Sequence, residues 1–248
     1  MTSQPGIWLS AWTILQRNRT AVLVYVAIMM LLGFAQEHMG GSSSLIVAQT
    51  VTAAWLAIPA HLTVLRNMDV SLSLKGSGAE KAVIPFVMRG IGLGLLASVL
   101  PFLLLFVMLV QSYDTAQTFL VFGLVAVLTF TVVFAVWGTM LPAAVLNGDK
   151  RFTRAAGRAS HSFGYAFPRL LVSFGVLSAV MVGAMMFLGK YMQPEGTFFP
   201  AGGVDAVAIF AALLNNVIGA YQIAMTAVIL SRAYMMAEEK TAARPVTA

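Results

Sequence analysis

The chain has 248 residues, of which 59% are hydrophobic and only 10% are charged, and its mean hydropathy is +0.86. Soluble domains carry about 25% charged residues, so this composition predicts an integral membrane protein. The net charge of +6 does not indicate a nucleic-acid partner, because the cations flank apolar segments and form no stripe on a soluble domain. The absence of cysteine excludes disulfides, thiolate catalysis and cysteine-ligated metals.

The order of apolar and polar segments predicts an all-α, polytopic membrane helix bundle with six transmembrane helices and two interfacial amphipathic helices. Residues 1–19 are expected to form an interfacial helix at the cytoplasmic side, 20–235 the six-span domain, and 236–248 a disordered cytoplasmic tail. The predicted spans are 20–36, 44–65, 82–110, 118–146, 170–188 and 204–235.

Two short basic segments predict the interfacial helices. The first carries Trp8 and Trp12 four residues apart and ends at Arg17, which suits a helix in the headgroup region. The second is 149–165, where the basic side chains share a face roughly 80° wide at 3.6 residues per turn. These side chains are Lys150, Arg154, Arg158 and His161, with Phe152, Ala156, Ala159 and Phe163 opposite them.

This pattern predicts that the cations of the second segment face lipid phosphates and that its rings face inward. The predicted headgroup-binding residues are Lys150, Arg151, Arg154, Arg158 and Arg89. For Arg89 the ordinary alternative is snorkelling, since it lies only a few residues inside a helix end. Anionic phospholipid is therefore the expected partner, together with other membrane protein subunits.

Charge also predicts the orientation. Of the 15 lysines and arginines, only Lys190 lies in or beside a loop on the opposite side from the rest. By the positive-inside rule both termini are cytoplasmic, and the expected location is a bacterial inner membrane. The other face carries four acids, for which a solvated rim is favoured over a proton relay because none lies at mid-membrane depth. These acids are Glu37, Asp114, Glu195 and Asp205.

Two adjacent carboxamides, Asn215 and Asn216, lie near the middle of the predicted sixth span, and Gln222 extends their polar face. Asn216 falls in a stripe of small residues with Ala208, Ala212, Ala220 and Ala224. One interpretation is a substrate or ion path, since polar groups in hydrocarbon require partners. The other, which the sequence favours, is a hydrogen bond to a neighbouring helix through the small-residue seam.

Metal and cofactor sites receive little support from the sequence. His61 and His161 are both expected near the cytoplasmic end of the bundle, so a bis-histidine site is conceivable. No acidic residue or third histidine accompanies them nearby in the sequence, and interface-facing histidines are the simpler explanation. No metal, cofactor or enzymatic activity is therefore predicted.

The run Leu141-Pro-Ala-Ala-Val-Leu-Asn-Gly148, followed by a basic helix with Ala155, Arg158, Ser160 and Phe163 and a return to the membrane, resembles a bacterial group. It is similar to the membrane domain of some glycerophosphodiester phosphodiesterases and to stand-alone relatives of that domain. The phosphodiesterase barrel, with its acidic metal ligands and paired histidines, is missing from this chain. The resemblance therefore implies a membrane module that organises lipid, a substrate or a partner.

The favoured function is a non-enzymatic membrane module that supports a membrane complex or organises lipid at the cytoplasmic leaflet. The alternative is a small transporter or channel with its polar site on the sixth helix.

Overall fold

A computed structural model of the chain describes residues 6–39, 43–69, 74, 77–111, 113–193, 197–200 and 203–243. Within those ranges the secondary structure is entirely helical. The helices are α1 Ile7–Arg17, α2 Arg19–Met39, α3 Ser43–Arg66, α4 Val83–Val110, α5 Thr115–Trp137, α6 Met140–Val145, α7 Phe152–Leu188 and α8 Ala206–Ala242, with a 3₁₀ turn at Glu80–Ala82 before α4.

Six helices of the described chain are long and apolar enough to cross a membrane, and they confirm a multi-pass, all-α membrane protein. The crossing segments are Arg19–Met39, Val47–Arg66, Glu80–Val110, Gln117–Trp137, Phe152–Leu188 and Ala206–Ala242. Both α7 and α8 contain 37 residues. At 1.5 Å per residue each is roughly 55 Å long, which exceeds a hydrocarbon core of about 30 Å.

The chain divides into two compact units. Unit 1 is Met1–Ser77 with Val176–Val228, and unit 2 is Gly78–Gly175 with Ile229–Ala248. Unit 1 therefore contains α1, α2, α3, the end of α7 and the first part of α8. Unit 2 contains α4, α5, α6, the first part of α7 and the end of α8.

The first helix, α1, packs against the rest of unit 1 through the face that carries Ala11 and Ile14. Ala11 and Ile14 are buried in an apolar cluster with residues of α3 and α8, whereas Trp8 and Trp12 stay exposed. The junction between α1 and α2 is fixed by Asn18, whose Nδ2 donates to the Ile14 carbonyl at 2.9 Å and to Thr63 Oγ1 at 3.0 Å. The predicted separation of a short first helix from the first span is confirmed, and its interfacial location stays a prediction.

The predicted fourth span, 118–146, is wrong at its end, because α5 stops at Trp137 and α6 follows after a turn. Gly138 makes this turn: a Cβ there would lie 2.8 Å from Leu230 Cδ2. After α6 the chain turns at Asn147 and Gly148, a pair typical of helix ends. Asn147 has a φ of 56°, and the Gly148 N–H donates to the Ala143 carbonyl at 2.8 Å.

The separate interfacial helix predicted at 149–165 is also wrong, since those residues from Phe152 onward belong to the uninterrupted α7. Pro168 removes one helical hydrogen bond and should favour a break. A continuous buried seam instead crosses this position on the other side of the helix, and its packing outweighs the cost of the proline. The seam consists of Ala155, Ala159, Ser162, Ala166, Leu170 and Ser173.

The disordered tail predicted at 236–248 is wrong as far as Ala242, where α8 ends. Packing within unit 2 orders it, because Ala233 and Ala237 are fully buried. The Lys240 ammonium donates to the His161 carbonyl at 3.2 Å. Residues 244–248 of that prediction lie outside the described residues.

Candidate functional site

A cavity of about 230 Å³ lies within unit 1. Three helices and one connection form its wall: α2 contributes Met29, Met30 and Gly33, α3 contributes Gln49, and α8 contributes Ala212, Asn215 and Asn216. Phe198, from the connection between α7 and α8, completes the lining. The predicted polar pair on the last span therefore faces a space rather than a fully packed seam.

The two asparagine carboxamides are the chemical centre of this cavity. Asn216 is buried, with 8% of its surface exposed, and Asn215 is half-buried. Neither side chain makes a hydrogen bond to another described residue, and neither belongs to the enclosed polar groups that lack a partner. Across the cavity Gln49 donates to the Gln36 carboxamide at 3.4 Å, which leaves its own oxygen free to accept.

The position of the pair along α8 explains how it reaches the cavity. Ala208, Ala220 and Ala224 are buried as the small-residue stripe predicts, so α8 approaches its neighbours closely above and below Asn216. Asn216 lies ten residues into α8, hence roughly 15 Å along it at 1.5 Å per residue. Gln222 is half-buried and does not contribute to the described cavity lining.

Residues 197–200 contribute Phe198 to the cavity wall, and α2 holds this segment in place. The Glu37 carboxylate accepts the backbone N–H groups of Phe198 at 2.8 Å and Phe199 at 3.1 Å. The Phe34 ring packs edge-on against Phe198 with 4.9 Å between ring centroids. These contacts press Phe198 against Gly33 and so make it part of the cavity wall.

Asp205 organises the rest of this connection. Its carboxylate accepts the N–H of Gln193 at 2.7 Å and those of Val207 and Ala208 at 2.9 and 3.0 Å. It therefore caps α8 and at the same time ties the two ends of the connection together. The Gln193 N–H, followed by that of Ala208, holds the pKa of the Asp205 carboxyl below its usual value.

The predicted solvated rim of acids is consequently wrong for Glu37 and Asp205, both of which accept backbone hydrogen bonds. Helix termini and connections leave N–H groups without helical partners, and a carboxylate is their strongest acceptor. Asp114 caps α5 in the same way through the N–H of Gln117 at 3.1 Å. Glu195 lies outside the described residues.

In unit 2 the basic segment of α7 buries a different face from the predicted one. Arg158 is buried, with 3% of its surface exposed, whereas Phe152 and Phe163 are exposed. The Arg158 Nε donates to Glu238 Oε1 at 2.6 Å, and Nη2 donates to the Asp149 carbonyl at 2.7 Å. Arg158 is therefore a structural residue and not a headgroup ligand, because Glu238 of α8 supplies the counter-charge that the sequence pattern assigned to lipid.

The other predicted headgroup residues are less enclosed. Arg151 is exposed and pairs with the Asp149 carboxylate at 2.7 Å, and this hydrogen bonding lowers the Asp149 pKa and raises that of Arg151. Arg154 is exposed and reaches Glu238 only at 3.9 Å. Arg89 donates to the Lys150 carbonyl at 3.3 Å, so it fastens the turn before α7 instead of snorkelling freely.

The two predicted histidines lie in different units. His61 is buried in α3 of unit 1, and His161 is half-buried in the unit 2 part of α7. No cluster of three or more His, Cys, Asp or Glu side chains suited to a metal ion occurs among the described residues.

Sequence reasoning missed the lining residues Gln49 and Phe198 and the anchoring role of Glu37, which it named only as an acid of the external rim. Gln49 carries the one available signal, since it is a strong hydrogen-bonding residue inside an apolar span. Glu37 and Phe198 are 161 positions apart, and nothing in the local sequence of either one predicts the other.

Comparison of the chain with protein-family models, with curated proteins and with solved structures finds no match. The resemblance to the membrane domain of glycerophosphodiester phosphodiesterases therefore stays a prediction.

Proposed function

We propose that this protein is a small, non-enzymatic membrane transporter that takes a small solute into the unit 1 cavity. The observation that carries the proposal is the pair of carboxamides at Asn215 and Asn216, which line an open space and lack protein partners within the described residues. Transporters commonly bind their substrates near the middle of the membrane between helices.

These carboxamides keep hydrogen-bonding capacity toward the cavity. Neither belongs to the enclosed polar groups that lack a partner, and both line the space. If Asn216 served packing alone, it would be expected to bond across the small-residue seam to a neighbouring helix. A solute or water molecule that enters the cavity supplies the missing hydrogen bonds, and this favours a binding role.

The anchored connection favours transport, in which the solute leaves the cavity again, over permanent binding of a solute there. Phe198 lines the cavity, and its segment is held by the N–H groups of Phe198 and Phe199 on Glu37, by the Asp205 N–H on the Phe198 carbonyl at 3.0 Å and by the Phe34 ring. These contacts lie on a short segment outside the helices, so it can open without unfolding a helix. Residues 197–200 therefore act as the gate of the cavity in this proposal.

The experiment is solute entry into liposomes that contain the purified protein, followed by stopped-flow light scattering. The probes are glycerol, urea, tetramethylammonium chloride and sodium methanesulfonate. We expect at least one solute to enter faster than into protein-free liposomes, and Asn216→Leu to abolish the difference. The matched control Gln222→Leu removes a carboxamide from the same helix away from the cavity and should keep the flux. Equal entry with and without protein for every probe would refute the proposal.

We further propose cytoplasmic termini in a bacterial inner membrane, as the distribution of Lys and Arg supports. The chain has no cysteine, so single cysteines can be introduced at Lys190 and Ala243 and labelled in intact cells with an impermeant maleimide. Labelling at 190 but not at 243 is expected, and the reverse pattern would contradict this orientation.

A second candidate function is a membrane module that binds anionic phospholipid, or other membrane subunits, at the cytoplasmic leaflet. The exposure of Arg151 and Arg154, together with the exposed Trp8 and Trp12 of α1, favours it. The charge reversal Arg151→Glu with Arg154→Glu should reduce the anionic lipid that co-purifies with the protein, whereas the exposed control Lys190→Glu should not. Unchanged lipid content in the double variant would remove this candidate.

A further inference from the structure

The geometry of the unit 1 cavity points to a neutral, hydrogen-bonding solute with a short carbon skeleton, such as a small polyol or amide. This inference rests on the proposed transport function and narrows it to a substrate class. Three properties of the described wall carry it: its lack of charge, its three carboxamides and its apolar remainder.

Charge is the first property. None of the described residues that line the cavity is ionisable, since the polar ones are Gln49, Asn215 and Asn216. Burying an ion without a counter-charge is far more costly than burying a neutral polar group. A cavity of this composition at membrane depth therefore discriminates against ions of either sign.

The ionisable groups on and around the connection between α7 and α8 do not alter this conclusion, because each already makes hydrogen bonds. Glu37 accepts two backbone N–H groups of the covering segment, and Asp205 accepts three around the start of α8. His38 is hydrogen-bonded through Nδ1 to the Phe34 carbonyl at 2.9 Å. Each of these groups stabilises the gate and its connection, so a solute in the cavity meets amides and not carboxylates.

The carboxamides define the polar side of the solute. Each carboxamide offers an acceptor oxygen and a donor NH₂ group, so the set pairs best with a molecule that both donates and accepts. Hydroxyl groups and amides have this property, whereas ethers and hydrocarbons do not. Asn215 and Asn216 are adjacent in α8, so they present their groups to one region of the cavity.

The remaining wall and the volume define the rest of the solute. Met29, Met30 and Phe198 provide apolar surface against which carbon atoms can pack, with the methionines adapting their shape. A volume of about 230 Å³ corresponds to roughly eight waters at about 30 Å³ each. Small polyols and amides fit this space.

The test compares the four liposome probes with one another. Glycerol or urea should enter wild-type liposomes faster than protein-free ones, whereas tetramethylammonium and methanesulfonate should not. Asn216→Leu should reduce the neutral flux to the protein-free rate, because it removes every hydrogen bond of that carboxamide at about five-fold each. Ala212→Leu, which fills the cavity and keeps every carboxamide, should slow it as well, so a folding defect at position 216 cannot by itself explain the result.

The outcomes separate the two claims. Protein-dependent flux of an ion, without flux of glycerol or urea, would overturn the neutral class and leave transport standing. The absence of protein-dependent flux for all four probes would refute transport itself. Neutral flux that neither Asn216→Leu nor Ala212→Leu reduces would show that the solute does not pass through this cavity, and it would overturn the inference.

Discussion

The pair of Arg158 and Glu238 gives a sharp test of how unit 2 is held together. Glu238→Gln keeps the shape of the side chain and removes its charge, which leaves a guanidinium that is only 3% exposed without its carboxylate. Breaking a fully buried ion pair costs about 3–5 kcal/mol. The Glu238 side chain is 36% exposed, so water screens the pair, and we expect about 2 kcal/mol.

This loss is measurable as a change in thermal unfolding. For a chain of this size about 1 kcal/mol corresponds to about 2–4 °C, so Glu238→Gln should lower the Tm by roughly 4–8 °C. Tryptophan fluorescence of the protein in detergent during heating provides the measurement. The matched control is Glu239→Gln, which removes the adjacent, exposed carboxylate and should leave the Tm unchanged.

A double-mutant cycle isolates the interaction itself. Arg158→Met combined with Glu238→Gln removes both charges. The double variant should therefore lose less unfolding free energy than the two single variants together, by about 1 to 2 kcal/mol. Additive losses, or a Tm for Glu238→Gln equal to that of Glu239→Gln, would refute the structural role of Arg158. The headgroup prediction for this residue would then stand again.

Three further predictions concern the gate, a helix turn and acid stability. Glu37→Gln should weaken the anchoring of 197–200, and hydrogen–deuterium exchange at those amides should rise; unchanged protection would exclude the anchor. Gly138→Ala should destabilise the fold by about 1–3 kcal/mol through overpacking. The control Gly123→Ala should not, because its Cβ meets no atom within 4 Å. Equal Tm values for the two variants would contradict the close packing at Gly138. The pKa of Asp205 is lowered in the folded state. The carboxylate therefore contributes fully to the free energy of unfolding above its unfolded pKa of about 3.9, and this contribution is lost as the pH falls through the lower folded pKa. Exchange protection around it should therefore fall only in strong acid, and in Asp205→Asn it should be lower already at neutral pH; an identical pH profile would count against the capping role.

The membrane spans could be predicted from sequence because each needs only an apolar stretch of sufficient length. The rotation of a helix could not. On the first part of α7 the pattern favours burial of Phe152 and Phe163, whereas the folded chain buries Arg158 and leaves both rings exposed. The decisive partner of Arg158 is Glu238, which is 80 positions away. Only the folded chain brings the two together.

The candidate site, too, could be predicted from the sequence only in part. Asn215 and Asn216 could be singled out because two carboxamides in an apolar span demand an explanation. Whether they pack or face a space depends on α2 and α3, where Gly33 and the thioethers leave room that no local pattern encodes. The role of Glu37 was missed for a related reason, since a carboxylate near a helix end is usually solvated and only the distant N–H groups of residues 198 and 199 make it an anchor.

The measurement we would make first is the initial rate of glycerol entry into liposomes with wild-type protein, with Asn216→Leu and with Gln222→Leu. A cavity that binds its solute through the Asn216 carboxamide predicts rapid entry for wild type and Gln222→Leu, and entry at the protein-free rate for Asn216→Leu. Equal rates for wild type and Asn216→Leu, with both proteins folded and reconstituted to the same density, would contradict it.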